Sequence, residues 1–265
     1  MPGLRERGHL SNRRCTSSFV VDDSNFGLAQ DVELSSYRDV LTHEQARRFY
    51  DWFGSRQDLQ RIYEDRSIDV LVEHSAFDRA RAVVELGCGT GRLAERLLRT
   101  CLPPDATYIG LDISETMVDL GREHVRPWHE RADVRLSDGS LRLTLPDRSC
   151  DRFVSTYVLD LLTEDDIRSA LDEAHRVLVP GGMLCLASLT FGRTAWSRAM
   201  CRLWTRVHAR HPMWVGGCRP LELTSFLDDR WAIVHQQVVC TLGICTEIVV
   251  ASTTAPGGGA APRRG

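Results

Sequence analysis

Val83-Val84-Glu85-Leu86-Gly87-Cys88-Gly89-Thr90-Gly91-Arg92-Leu93-Ala94 decides how this chain is read. A β-branched apolar run ends in an acid and breaks into three glycines at alternate positions. It then enters a segment where Leu93, Leu97 and Leu98 share one helical face. The pattern predicts a buried parallel strand, a tight turn and a helix. Glycine suits such a turn because φ/ψ is strained there and because a ligand can approach bare backbone. The first turn of the helix offers that ligand unpaired N–H groups.

Outward from this unit, strand-like runs recur at Thr107–Leu111, Ala132–Leu136, Arg152–Thr156 and Met183–Ser188, after a first strand at Ala82–Leu86. Helices are expected to start near Thr90, Ser114 and Thr163. Ser114 and Thr163 read as N-caps, and Asp165 and Asp166 complement the dipole of a first turn. The helix 163–178 sets Ile167, Ala170, Leu171, Ala174 and Leu178 on one side, and Val179-Pro180-Gly181-Gly182 ends it. Trp231–Leu242 and Ile244–Ala251, joined at Gly243, read as an antiparallel hairpin. The fold class is therefore α/β: a Rossmann-like, doubly wound, seven-stranded sheet, mainly parallel, with a C-terminal antiparallel hairpin.

The flanks are read by composition and period. Residues 1–35 lack sustained periodicity and are expected to be disordered. An N-terminal helical cap is expected over 36–78. Thr42 and Gln45 form a capping box there, and Ala46, Phe49, Tyr50 and Phe53 form a stripe stopped by Gly54. Two further stretches carry Leu59, Ile62 and Tyr63, then Ile68, Leu71, Val72 and Ser75. A second cap segment, 190–218, places Trp196, Met200, Leu203, Trp204 and Val207 at helical spacing. Trp196, Trp204 and Trp214 suit an apolar pocket. Leu221–Leu227 reads as one more helix. The domain so delimited spans 36–252, and 253–265 is expected to be a disordered tail.

Composition bounds the function. A length of 265 residues suits one core domain with decorations. A net charge of −3 and a pI near 6.3 point away from a nucleic-acid-binding surface. No apolar run reaches about 18 residues, so no membrane span is expected. Met1–Ser18 is polar and arginine-rich, without the apolar centre of a secretion signal, and Glu6, Asp22 and Asp23 break a transit-peptide pattern. Nine cysteines without a Cys-x-x-Cys pair fit reduced thiols in a cytoplasmic chain and no zinc site. Cys240 and Cys245 can face each other across the hairpin but are read as two buried thiols. Lysine is absent, which excludes a Schiff-base lysine and a P-loop lysine.

A glycine-rich first turn serves two ligand families. Gly89-x-Gly91-x-x-Ala94, with Asp112 at a suitable distance, satisfies a nicotinamide dinucleotide fingerprint. Other stretches add to the choice: Ile109-Gly110-Leu111-Asp112-Ile113-Ser114 with Met117, Ser137-Asp138-Gly139-Ser140, Asp151 to Leu159, and Leu178 to Gly182. Together with Glu85 to Gly91 they resemble, over about residues 80–190, the class I S-adenosylmethionine-dependent methyltransferases. The likeness is greatest to the small-molecule group that includes ubiquinone- and menaquinone-type enzymes.

The resemblance implies roles. Gly87, Gly89 and Gly91 would let backbone, with Cys88, approach the methionine part of S-adenosyl-L-methionine, and Glu85 would hold its positively charged end. Asp112 would accept both ribose hydroxyls. Asp138 would accept from the adenine amino group, Gly139 would let the ring approach, and Ile113 and Met117 would sandwich it. Thr156 completes the cofactor set. Tyr157 and Asp160, after the fourth strand, would face the acceptor as catalytic residues. No metal site is expected: no cluster has metal-ligand spacing. His175 is read as structural, while His208 and His211 are candidate bases. The Asn-Pro-Pro-Tyr and Pro-Cys signatures of nucleobase enzymes are absent. The expected function is direct in-line methyl transfer to a small molecule, without nucleic-acid partners. The alternatives are an NAD(P)-dependent oxidoreductase or a non-catalytic cofactor-binding protein of the same fold.

Overall fold

Both faces of the first strand are apolar, and that places it mid-sheet. In β1 (Ala82–Leu86), Val83 and Val84 point to opposite sides, and both are buried. β1 pairs in parallel with β2 (Thr107–Asp112) and with β4 (Cys150–Thr156). β3 (Ala132–Leu136) flanks β2, and β5 (Leu178–Thr190) flanks β4, again in parallel. β6 (Trp231–Thr241) and β7 (Ile244–Thr253) form the hairpin, and β7 lies antiparallel between β5 and β6. The order is β3-β2-β1-β4-β5-β7-β6. This computed structural model describes residues 61–210 and 217–254, all within one compact unit, Tyr37–Gly265. The expected helix from Thr42, Leu59, the segment 1–35, His211, Trp214 and the tail beyond Thr254 lie outside the described residues.

Strand alternation divides the core into two layers. On one face Val83, Val154, Cys185, Ala187, Ile248 and Val250 pack with α1 (Arg61–His74), α2 (Arg92–Thr100) and α3 (Glu115–Val125). On the other, Val84, Phe153, Leu184, Leu186, Val249 and Ala251 pack with α4 (Glu164–Val177). The period of two in the strands and the apolar stripes of the helices thus meet on both sides of one sheet. The Ser114 and Thr163 side chains cap α3 and α4 as their positions predict, accepting from Met117 N and Asp166 N.

Several expectations change. The two stretches read around Ile62 and Ile68 belong to one helix, α1. Its end is held by Arg152, whose buried guanidinium donates to Ser75 O and Ala76 O at 2.7 Å and to Asp151 O at 2.8 Å. Val179-Pro180-Gly181-Gly182 does not separate helix from strand. β5 pairs with β4 at Cys150↔Leu178, bulges through those four residues, and resumes at Arg152↔Met183. The helix read over Leu221–Leu227 shortens to a 3-10 turn, Leu223–Phe226, whose first N–H donates to the Glu247 carboxyl at 2.7 Å. β7 runs to Thr253, past the expected start of the tail.

The thiols of Cys240 and Cys245 are not separate. They form a disulfide across the hairpin beside the Leu242–Gly243 turn, whose residues both take positive φ. Register explains it: the two cysteines are direct cross-strand partners 4.1 Å apart at Cα. The stripe read into the second cap segment lies on α5 (Ala195–Arg210). It packs against β7, and Trp196 and Leu203 are 65% and 54% exposed.

Candidate active site

The carboxyl ends of β1, β2 and β4 open on a cavity of about 530 Å³. Such an edge is where open α/β sheets bind ligands. The first loop shapes it with three glycines in left-handed conformations, each for a different reason. A Cβ on Gly87 would lie 2.1 Å from Val158 Cγ2, so this glycine lets the β1 and β4 loops touch. A Cβ on Gly89 would meet nothing within 4 Å; this is bare backbone facing the cavity. A Cβ on Gly91 would sit 2.9 Å from Gly121 Cα, so Gly91 lets α2 pack on α3 and does not line the cavity. The reading that all three present backbone to a ligand is corrected for Gly91.

The charged groups are fixed from behind. The Asp112 carboxylate accepts from Gly89 N at 2.9 Å and from Ser114 N at 3.0 Å, which ties the β2 end to the glycine loop while the residue lines the cavity. Glu85 also lines it, 1% exposed, and accepts from the Tyr108 hydroxyl at 2.5 Å. Burial pushes its carboxyl up to about 7, against the opposing effect of the tyrosine hydrogen bond. Cys88 is buried, and burial raises its thiol well above the usual range. Gly110 makes this packing possible: a Cβ there would crowd Cys88 Sγ at 2.8 Å and the Tyr108 hydroxyl at 3.0 Å.

Ile113, Met117, Gly139 and Thr156 line the same cavity, with Ser137, Ser140 and Leu141 beside them. Asp138 does not. Its side chain is exposed and accepts from Ser140 N at 2.8 Å, the turn that Asp-Gly chemistry favours. Tyr157 lines the cavity in a left-handed conformation (φ 56°), and its hydroxyl lies 3.1 Å from Thr246 Oγ1. Asp160 is fully buried below the surface and accepts from Leu189 N at 3.2 Å, outside the cavity wall. It holds the β4 loop to β5, so the reading of Asp160 as an acceptor-facing base is corrected. His208 is buried with Nε2 3.1 Å from Gly217 O. His175 sits edge-on to Trp231. Trp196 lies against the Gly243 turn, and Trp204 donates to Cys218 O at 2.9 Å. Neither tryptophan lines the cavity; among the described residues of the expected second cap, Cys218 does.

Residues outside the expected site set complete the wall, three of them within the segment 36–78 expected as a cap. Glu64, Asp65 and Ile68 of α1 line the cavity, as do Leu161, Leu162 and the arginines Arg92, Arg96 and Arg99 of α2. Spacing signals the last three, which fall at i, i+4 and i+7 on one helix face. Each guanidinium meets an acid: Arg92–Asp65 at 3.2 Å, Arg96–Asp69 at 2.7 Å and Arg99–Glu95 at 3.1 Å. Two of these pairs fasten α1 to α2 across the cavity mouth. No cluster of His, Cys, Asp or Glu able to hold a metal lies among the described residues, and no described helix is long and apolar enough to cross a membrane.

The cavity suits a nucleoside with a charged, amino-acid-like end. It combines an open glycine backbone, two strand-end carboxylates with fixed rear partners, and an apolar wall of Ile113, Met117, Leu141 and Leu161. Comparison with known proteins agrees. Residues 83–182 match the family described as "Methyltransferase domain". A ubiquinone/menaquinone biosynthesis C-methyltransferase of Dinoroseobacter shibae is 32% identical over 62% of this chain and 60% of its own. A tRNA N(3)-methylcytidine methyltransferase of Drosophila melanogaster is 28% identical over 52% of this chain and 46% of its own. The chain spans about half the length of the curated relatives it matches. Among solved structures, the N-methyltransferase NodS of Bradyrhizobium japonicum, in complex with S-adenosyl-L-homocysteine, has a TM-score of 0.60. It is 17% identical over 80% of this chain and 97% of its own, a likeness of fold.

Proposed function

We propose that this chain, which carries a class I S-adenosylmethionine-dependent methyltransferase domain, moves a methyl group from that cofactor to a small-molecule acceptor by direct in-line transfer. The observation that supports it most is the cavity itself. It joins the glycine loop, Asp112 and the Ser137–Leu141 turn to the end of β4 along one edge of a sheet ordered β3-β2-β1-β4-β5-β7-β6. The antiparallel β7 inside that sheet departs from the 3-2-1-4-5-6 order of dinucleotide-binding sheets, which weighs against the nicotinamide alternative.

When bound, the cofactor supplies an activated methyl on a positively charged sulfur. The protein's part is to bind, orient and dry the reactants. Asp112 would receive the ribose hydroxyls on its remaining lone pairs, Gly89 would give bare backbone to the methionine end, and buried Glu85 would answer its ammonium. Ile113 and Met117 would hold the adenine, with Leu141 and Leu161 on the same wall. Tyr157, Ile68, Leu162 and Cys218 would bound the acceptor. A small acceptor is favoured over a nucleic acid because Arg92, Arg96 and Arg99 are matched by Asp65, Asp69 and Glu95, leaving no net basic strip for phosphates among the described rim residues. A cytoplasmic location is part of the proposal, resting on the core thiols Cys88, Cys150 and Cys185; the Cys240–Cys245 disulfide weighs against it, so finding that pair reduced in lysate supports the location and finding it oxidised overturns it.

The deciding experiment supplies methyl-labelled S-adenosylmethionine, purified protein and a metabolite extract, with a total tRNA pool in a parallel reaction. One labelled metabolite supports the proposal and names the acceptor class. Label only in tRNA overturns the small-molecule reading. Cofactor binding without label in either pool favours the non-catalytic alternative.

A further inference from the structure

α1 brings a carboxyl to the cavity that the cofactor cradle leaves unaccounted for. Glu64 lies in the first turn of α1, half-buried, and lines the wall with Asp65 and Ile68. Among the described residues, three elements present groups to it. The β4 loop presents the Tyr157 phenol and, behind it, the buried Asp160; α2 presents Arg92; α1 presents Asp65. Arg92 is hydrogen-bonded to Asp65 at 3.2 Å, so its charge is shared with another acid. Tyr157 leans toward the same place, its hydroxyl anchored near Thr246. The result is an acid, a phenol and apolar side chains (Ile68, Leu162, Cys218) lining one cavity.

We propose that Glu64 takes up the proton released by the methyl acceptor, and that loss of the sulfonium charge during transfer drives the uptake. The inference rests on the methyltransferase reading above. Burial, reinforced by Asp160, raises the Glu64 carboxyl to about 7. A group so poised is turned by one nearby charge. Beside a cationic donor it ionises and is ready to accept; beside the neutral thioether product it keeps a proton. The step balances. The acceptor's O–H or N–H bond breaks, leaving its pair to form the new bond to the methyl carbon. The carbon–sulfur bond breaks with its pair on sulfur, and the proton passes to a Glu64 oxygen. One cation and one carboxylate become two neutral groups, with no co-reactant. The substrate class follows: an acceptor whose methylated oxygen or nitrogen carries a proton that must leave.

The test needs no acceptor. Calorimetry gives the affinities of S-adenosylmethionine and S-adenosylhomocysteine between pH 5.5 and 8.5, in buffers of different ionisation enthalpy. Both ligands share the ammonium that Glu85 would meet, so their ratio cancels that group. In the wild type the preference for the sulfonium ligand rises about three- to tenfold as pH passes 7, as expected for one charge at close range in a partly wet site. Proton release should be greater on binding that ligand than on binding S-adenosylhomocysteine, the part common to both belonging to Glu85. E64Q should bind S-adenosylhomocysteine as the wild type does, which shows that it is folded, and should lose the pH-dependent preference. E64D should retain it. A pH-independent ratio in the wild type, or a pH dependence that survives in E64Q, overturns the proposal. An identical pH dependence for both ligands also overturns it, since Glu64 then answers the shared ammonium. Failure of both ligands to bind overturns the methyltransferase reading first and this inference with it.

Discussion

Three glycines two residues apart do three different jobs, and substitution separates them. Alanine at Gly91 must hold φ near 78° and push its Cβ to 2.9 Å from the Gly121 backbone, which cannot yield as a flexible side chain does. G91A should cost about 2–4 kcal/mol in denaturant unfolding. Alanine at Gly89 meets open space and bears only the left-handed penalty of about 1 kcal/mol. G89A should therefore stay folded yet lose S-adenosylhomocysteine affinity in calorimetry, because the methyl group stands where backbone faces the cavity. Asp112 is the polar counterpart. D112A should weaken that affinity by about 1–3 kcal/mol, the usual worth of charge-assisted hydrogen bonds. An unchanged affinity would exclude Asp112 from the ribose site.

At the scale of elements, α1 is the part whose placement matters most, since Glu64, Asp65 and Ile68 reach the cavity from a helix packed over β5, β6 and β7. Two exposed ion pairs to α2 contribute little in salt. The firmer fastening is Arg152, which reaches from β4 to the carbonyls that α1 leaves open at its end. R152L removes one buried donor set and strands those carbonyls, and should lower stability by about 2–4 kcal/mol. Hydrogen exchange should show α1 loosening before the β-sheet does. Equal protection of α1 in the variant and the wild type would contradict this. His74, on the last turn of α1, stacks on His235 of β6 with ring centroids 3.5 Å apart, a second contact at the same end.

The whole molecule carries buried carboxyls whose protons it prefers to keep. Glu85 and Asp160 are both raised to about 7, chiefly by burial. The folded state then binds more protons than the unfolded state between about pH 4 and pH 7, so stability falls as pH rises through that window. Glu173 and Asp228, held low by Arg176 and Arg230, act in the opposite sense and withdraw stability only on the acid side of the usual carboxylate range. Urea unfolding should thus show greater stability near pH 5 than near pH 8. E85Q should flatten that slope by up to about 3 kcal/mol, the value of a carboxyl moved from 4.5 to about 7. A pH-independent difference between E85Q and the wild type would show that Glu85 is ionised in the fold.

Legibility followed the range of each interaction. The strand at Ala82–Leu86, the caps Ser114 and Thr163 and the hairpin about Gly243 could be read because each depends on neighbours a few residues away. Asp138 and Asp160 could not be placed, since a carboxylate at a strand end reads alike whether it faces a ligand, closes its own turn or sits beneath the loop. The α5 stripe misled for a related reason: helical spacing shows that apolar residues share a face, but not that a partner covers it. Tyr108 carried a usable signal. It lies two residues before Gly110 on β2, and the register sets that face beside Glu85.

Local chemistry, written in residue order, was enough to determine the alternation of strands and helices, the glycine turn and the chain reversal at Gly243. Only the tertiary structure decided that β7 slips between β5 and β6, that Cys240 meets Cys245 as a bonded pair, and that Glu64 and Tyr157 line one cavity. The first and last depend on groups far apart along the chain, and the disulfide on a cross-strand register that its five-residue spacing alone does not fix. Their energies come from burial and register, which exist only once the sheet has closed.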